Sequence, residues 1–190
     1  MRVISGVRRG AKLITREDDG VRPTTDRVKE SMFNLLDIGY SGCRVLDLFA
    51  GSGALGIEAL SRGAEKVICV DNDVRSMDVV KRNYENLRFS ELAEFYLCDG
   101  LEFLKKTNDE YDIIFLDPPY NKDLILPVMK LLFSRSLLAE NGVIVVESDN
   151  TDVLPDFEGF FVAKQRRYGR TYVTLYKNEV KTNEDGGVSR

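Results

Sequence analysis

From Arg44 onward, short apolar runs alternate with stretches whose apolar residues recur every three or four positions. The runs read as buried strands, and the periodic stretches as helices packed by one face. Strands are predicted at residues 44–48, 66–70, 94–98, 111–116 and 143–147. Between them, helices are predicted at 54–62, ended by Gly63, then over the stretch with Met77, Val80, Tyr84 and Leu87 on one face. Two more follow at 100–106 and 124–138. This alternation specifies a parallel sheet covered on both faces, with right-handed crossovers. The rhythm then breaks. Residues 159–168 and 171–177 are both strand-like and only Gly169-Arg170 separates them, so they predict an antiparallel hairpin on the sheet edge.

Residues 1–22 are basic and glycine-bearing, with a strand or hairpin at 3–5 and 11–14. Arg22-Pro23-Thr24-Thr25-Asp26 reads as a helix start, capped by Thr24 or Thr25, after which Val28, Met32, Leu35 and Leu36 keep helical spacing. The chain divides into a basic extension with its first helix (1–36), a core (37–178) and a polar, disordered tail (179–190).

The 190 residues suit one domain, and the balance of 43% hydrophobic to 31% charged residues is that of a soluble globular protein. No run is long enough for a membrane span, and residues 1–12 lack the apolar core of a signal peptide, so a cytoplasmic protein is expected. Cys43, Cys69 and Cys98 have no CxxC spacing, and the last two lie in strand-like runs, which predicts buried free thiols rather than a disulfide or metal site. The absence of histidine excludes histidine-based triads, histidine metal sites and the commonest general base. No metal, membrane or obligate protein partner is expected.

The net charge of −4 is unevenly placed. Residues 1–30 carry eight basic and five acidic side chains, and residues 164–178 carry five basic and none acidic, which leaves −12 for the rest. Basic ends flanking an acidic middle point to phosphate contacts by the ends. The candidates are Arg8, Arg9 and Lys12 in a segment that reads as flexible, Arg22 at the helix start, and Arg166, Arg167 and Arg170 at the hairpin turn.

Two segments carry chemistry, each at the carboxyl end of a predicted strand, where open α/β sheets hold ligands. Asp47-Leu48-Phe49-Ala50-Gly51-Ser52-Gly53 leads into Gly51-Ser-Gly-Ala-Leu-Gly56, a GxGxxG turn that admits a nucleoside-bearing cofactor close to backbone. Asp47 suits a cationic amino-acid moiety and not a pyrophosphate, which favours S-adenosylmethionine over a nicotinamide cofactor. Asp71, ending the second strand, can accept ribose hydroxyls, with Asn72 beside it, while Asp99, followed by Gly100, can accept an adenine amine. Phe49, Gly51 and Gly53 complete the cofactor candidates.

The second segment is Asp117-Pro118-Pro119-Tyr120. A base amine is a poor nucleophile because its lone pair is delocalised into the ring. The Asp117 carboxylate and the Pro118 carbonyl are acceptors for its two hydrogens, and Tyr120 offers a face for stacking. This chemistry fits guanine N2 and adenine N6 alike.

The order of these acids and DPPY resembles the amino-methyltransferases of nucleic acids. Arg2-Val-Ile-Ser-Gly6 and Arg22-Pro-Thr-Thr-Asp-Arg-Val-Lys-Glu30 resemble the bacterial RsmD family, as do segments 47–62, 117–120 and 145–148 and the closing hairpin. The resemblance implies a Rossmann-like S-adenosylmethionine-dependent fold with a mostly parallel seven-stranded sheet. It also implies methylation of guanine N2 in small-subunit (16S) ribosomal RNA, with ribosomal RNA or the small subunit as partner. The alternatives are an adenine-N6 methyltransferase, a nicotinamide oxidoreductase, for which no hydride-transfer acid or base is found, and a non-catalytic ribosome assembly factor.

Overall fold

A computed structural model describes residues 1–15, 26–36, 39–118, 124–148 and 154–179. After α1 (Asp26–Leu35), strands and helices alternate: β1 (Arg44–Asp47), α2 (Ala54–Ser61), β2 (Lys66–Asp71), α3 (Val74–Asn86), β3 (Ala93–Leu97), α4 (Gly100–Lys106), β4 (Tyr111–Leu116), α5 (Ile125–Ser134) and β5 (Leu138–Ser148). The chain closes with β6 (Phe160–Tyr168) and β7 (Thr171–Asn178). The seven strands form one sheet in the order β3-β2-β1-β4-β5-β7-β6, parallel from β3 to β5, with β7 antiparallel to both neighbours. The strand order reverses between β1 and β4, which is where such sheets open a crevice for ligands.

The central strands carry apolar residues on both sides because both faces are covered. Val45, Val67, Cys69, Ile113, Phe115 and Val145 pack with residues of α1, α2 and α3. Leu46, Ile68, Val70, Ile114, Leu116 and Val146 pack with residues of α4 and α5.

Residues 1–15 of the amino-terminal extension are docked rather than flexible. Val3 and Leu13 are buried in the first of these clusters, and residues 1–15 double back as a strap through the Arg2–Lys12 bridge and bonds such as Val3 N–H to Ala11 O at 2.9 Å. The expected Thr24 or Thr25 cap and the tail from residue 180 lie outside the described residues.

One helix is shorter than its pattern predicts. Residue 136 takes a left-handed conformation (φ 51°), and Leu137 N–H folds back to Leu132 O at 3.0 Å, closing α5. Leu138 then begins β5 opposite Tyr111, and the register shifts before Val143 joins Ile113. Leu137 and Leu138 satisfy a helical pattern, but sheet pairing and the core claim them. The hairpin forms as predicted, with β6 outermost and β7 between it and β5. Of the cysteines, Cys69 is buried, while Cys98 lies past the end of β3 and is only half-buried, against expectation.

Candidate active site

The carboxyl ends of β1, β2 and β4 bring Asp47, Asp71 and Asp117 to one edge of the sheet. Between β1 and α2 the chain turns through two left-handed glycines, Gly51 (φ 56°) and Gly53 (φ 74°). A side chain at either position would be strained, and at Gly53 a Cβ would also meet the Tyr84 ring at 2.9 Å. Gly56 packs closer still: a Cβ there would meet Tyr84 Oη at 2.3 Å and Val67 at 2.7 Å. Thus the first two glycines shape the turn, and the third brings α2 down onto the sheet.

The carboxylates hold this turn. Asp71 Oδ2 accepts the Gly51 N–H at 2.8 Å while Oδ1 accepts that of Asp73 at 2.9 Å. Asp47 Oδ2 accepts the Gly56 N–H at 3.1 Å. Asp47 is 1% exposed, and burial pushes its carboxyl up to about 7. The Gly56 bond opposes that rise and the nearby charges of Asp117 and Asp71 add to it. Below the loop, Cys69 Sγ donates to Tyr84 Oη at 3.1 Å, and burial holds both groups neutral.

Asp99 caps α4, accepting from Leu101 N–H at 2.9 Å and Glu102 N–H at 3.2 Å through Oδ1. Asp73, not Asn72, caps α3; Asn72 is exposed beside it. Phe49 is half-buried, and Gly100 packs where a Cβ would meet Leu48 and Phe49. Pro118 is buried at the end of β4, while Asp117 is partly exposed. Pro119, Tyr120 and Arg22 lie outside the described residues.

The arginines separate into two groups. Tyr172 of β7 stands beside Ser148, the last residue of β5, so the hairpin tip projects at the same edge as the carboxylates. Arg166, Arg167 and Arg170 are exposed there, with Arg167 stacked 5.5 Å from the Tyr172 ring. Arg8 and Arg9 occupy the far turn of the strap. Arg8 N–H donates to Ser61 Oγ at the end of α2, its Nε donates to Leu87 O at 2.9 Å, and its guanidinium lies 5.5 Å from the Phe89 ring. Eight-residue α2 separates that turn from the glycine loop by ~12 Å. Arg9 and Lys12 are exposed.

Sequence reasoning missed the polar side chains that dock the strap. Glu58, buried in α2, accepts from Ile4 N–H at 2.8 Å, Ser5 N–H at 3.0 Å and Arg62 Nε at 2.9 Å, and pairs with buried Lys29 at 3.2 Å. Burial lowers the Lys29 ammonium and the Glu58 charge raises it back in part. Asn83 of α3 bonds Ile14 and Ser52. A charged or amide residue inside an apolar helix face is the signal that points to such docking.

The family model described as conserved hypothetical protein 95 matches residues 1–177. The Haemophilus influenzae protein named ribosomal RNA small subunit methyltransferase D is 38% identical over 94% of this chain and 94% of its own. The chain belongs to the RsmD family. A Bacillus subtilis relative, YlbH, provisionally named as an rRNA methyltransferase, is 42% identical over 93% of this chain and 98% of its own. Among solved structures, Escherichia coli yhhF, provisionally described as a methyltransferase, superposes with a TM-score of 0.85 at 31% identity, covering 95% of this chain and 99% of that one.

S-adenosylmethionine is the cofactor of this RsmD-family fold. The residues fit it: strand-end carboxylates for a cationic, hydroxyl-bearing ligand, and a glycine loop whose left-handed turn keeps side chains off the backbone at Gly51 and Gly53. A pyrophosphate, by contrast, would meet Asp47, Asp71 and Asp117 together. No helix among the described residues is long and apolar enough to cross a membrane.

Proposed function

We propose that this chain methylates the exocyclic N2 of a guanine in small-subunit (16S) ribosomal RNA. The observation that carries this reading is the position of Asp117-Pro118 at the end of β4, beside the glycine loop that follows β1, in a chain of the RsmD family. The bound cofactor supplies an electrophilic methyl group on a sulfonium. Asp117 accepts one hydrogen of the base amine and the Pro118 carbonyl the other. These bonds favour the tetrahedral nitrogen whose lone pair is free to attack. Buried Pro118 has no N–H and a fixed φ, so its carbonyl is preorganised. Asp117 would take the surplus proton that the amine gives up on methylation and pass it to solvent. Tyr120 stacks on the extruded base.

The basic hairpin tip positions the RNA, since Arg166, Arg167 and Arg170 stand at the reaction edge. The names of the methyltransferase D relatives support the ribosomal substrate, and the site fits a cytoplasmic enzyme acting on the small subunit or its RNA.

Incubation with labelled S-adenosylmethionine and unmodified 16S RNA or small subunits, followed by nucleoside analysis, tests the reading. The expected product is N2-methylguanosine. N6-methyladenosine would replace the guanine assignment, and no incorporation into either substrate would refute the activity.

A further inference from the structure

We propose that Asn83 is a positioning residue for the cofactor, tying the glycine loop to the amino-terminal strap so that cofactor occupancy and strap docking stabilise each other. Asn83 lies in α3 and is 1% exposed. Its Oδ1 accepts the Ile14 N–H at 2.8 Å, and its Nδ2 donates to Ile14 O and Ser52 O, each at 2.9 Å. Both donors and one acceptor of the amide are thereby used, on two segments far apart in the chain. Towards Ile14 the side chain acts as a neighbouring strand would, pairing both backbone groups of one residue. Towards the loop it fixes the carbonyl of the peptide joining Ser52 to Gly53, between the two left-handed glycines. The plane of that peptide sets the backbone surface offered to the cofactor.

The rest of the strap is held by α2, the helix that the glycine loop opens. Glu58 takes the Ile4 and Ser5 amides, while Ser61 Oγ accepts from Arg8 N–H and donates to Ser5 O at 2.6 Å. Met1 Sδ lies 4.0 Å from Ser52 Oγ, closing the same contact from the other arm. None of these anchors is a cofactor candidate, yet Glu58 and Ser61 stand on the helix that the cofactor loop opens and Asn83 bonds the loop directly, while Asp26 and Lys29 of α1 hold only Arg2. A ligand that orders the loop must favour the docked strap, and by linkage the docked strap favours that ligand. The coupling depends on the cofactor and not on which nucleobase is methylated, so a failed guanine assignment leaves it intact.

The test is amide hydrogen exchange by NMR on the full chain, with and without saturating S-adenosylhomocysteine. In the wild type, the nucleoside is expected to slow exchange at least fivefold both at Gly51 and Gly53 and at the strap amides of Val3, Leu13 and Ile14. In Asn83→Ala, slowing at the loop persists and slowing at the strap falls below twofold. Ile14→Pro, which removes the strap donor but leaves Asn83 and Ser52 in place, serves where Asn83→Ala is poorly folded and is expected to uncouple Val3 and Leu13 in the same way. A merely structural role lowers protection everywhere but leaves the strap responsive. Equal strap slowing in wild type and variant, or none in the wild type, overturns the proposal.

Discussion

The Asp71 carboxylate at the end of β2 accepts the Gly51 N–H of the glycine loop at 2.8 Å. The group expected to receive the ribose hydroxyls therefore also holds the loop in its left-handed turn. Asp71→Ala removes both contributions. Cofactor affinity should fall by about 1.5–3 kcal/mol, the size of a hydrogen bond to a charged group, or roughly 10- to 150-fold. Calorimetry with S-adenosylhomocysteine measures it, and unchanged affinity would remove Asp71 from the site.

Asp117→Ala separates chemistry from cofactor binding. Asp117 is assigned to the base amine, so turnover should disappear while the dissociation constant for S-adenosylhomocysteine stays within about twofold, a shift of ~0.4 kcal/mol. Tyr120→Phe, which keeps the ring, should retain most activity, whereas Tyr120→Ala should lose about 1–3 kcal/mol of stacking. Wild-type methylation by Asp117→Ala would contradict the mechanism.

Asp47 makes stability depend on pH in a direction opposite to an ordinary ion-paired acid. Its carboxyl is raised to about 7 in the fold, against 3.8 for the free group. Between those values the native state carries a proton that the unfolded chain releases, so this contribution falls as pH rises from about 4 to 7 and is flat above. Asp47→Asn should abolish that slope and gain stability relative to wild type toward neutral pH. Denaturant unfolding of both proteins at pH 5 and pH 8 gives the answer, and parallel pH profiles would exclude Asp47 as the titrating group.

The two groups of arginines should behave differently. Charge reversal at Arg166 and Arg167 is expected to raise the Michaelis constant for RNA and to reduce the salt slope by roughly 0.7–0.9 for each lost phosphate contact, without changing cofactor affinity. Arg8→Glu, which loses the Leu87 and Phe89 contacts, should instead lower the melting temperature. Filter binding across a salt series and thermal unfolding compare the two. RNA binding unaffected by the hairpin variant would move the docking surface elsewhere.

The central strands were legible because both their faces are buried, so Val67–Val70 or Ile113–Leu116 appear as continuous apolar runs. The hairpin was legible because Gly169-Arg170 leaves no room for a helix. The end of α5 was not, since Leu137 and Leu138 keep helical spacing and only the left-handed turn at Ser136 diverts them to the sheet. In the site, residue type and strand-end position revealed the carboxylates but not their protein partners. Asp99 spends an oxygen on capping α4, and Arg8, apparently available to phosphate, is committed to the carbonyl of Leu87, 79 positions later. Asn83, an amide on the apolar face of α3, marked a docking point but not its partners, which lie 31 and 69 residues away.

The reversal of β7 against β5 gives the hairpin the character of an adjustable gauge. Its tip stands at the reaction edge, and it advances past that edge by ~3.3 Å for every residue added to each arm. Longer or shorter arms would carry the same three positive charges to a different phosphate while β1, β4 and the loops they hold stay as they are. In the proposed reaction, reach along the RNA would thus be set by a length, and the chemistry at the base by a separate, fixed geometry.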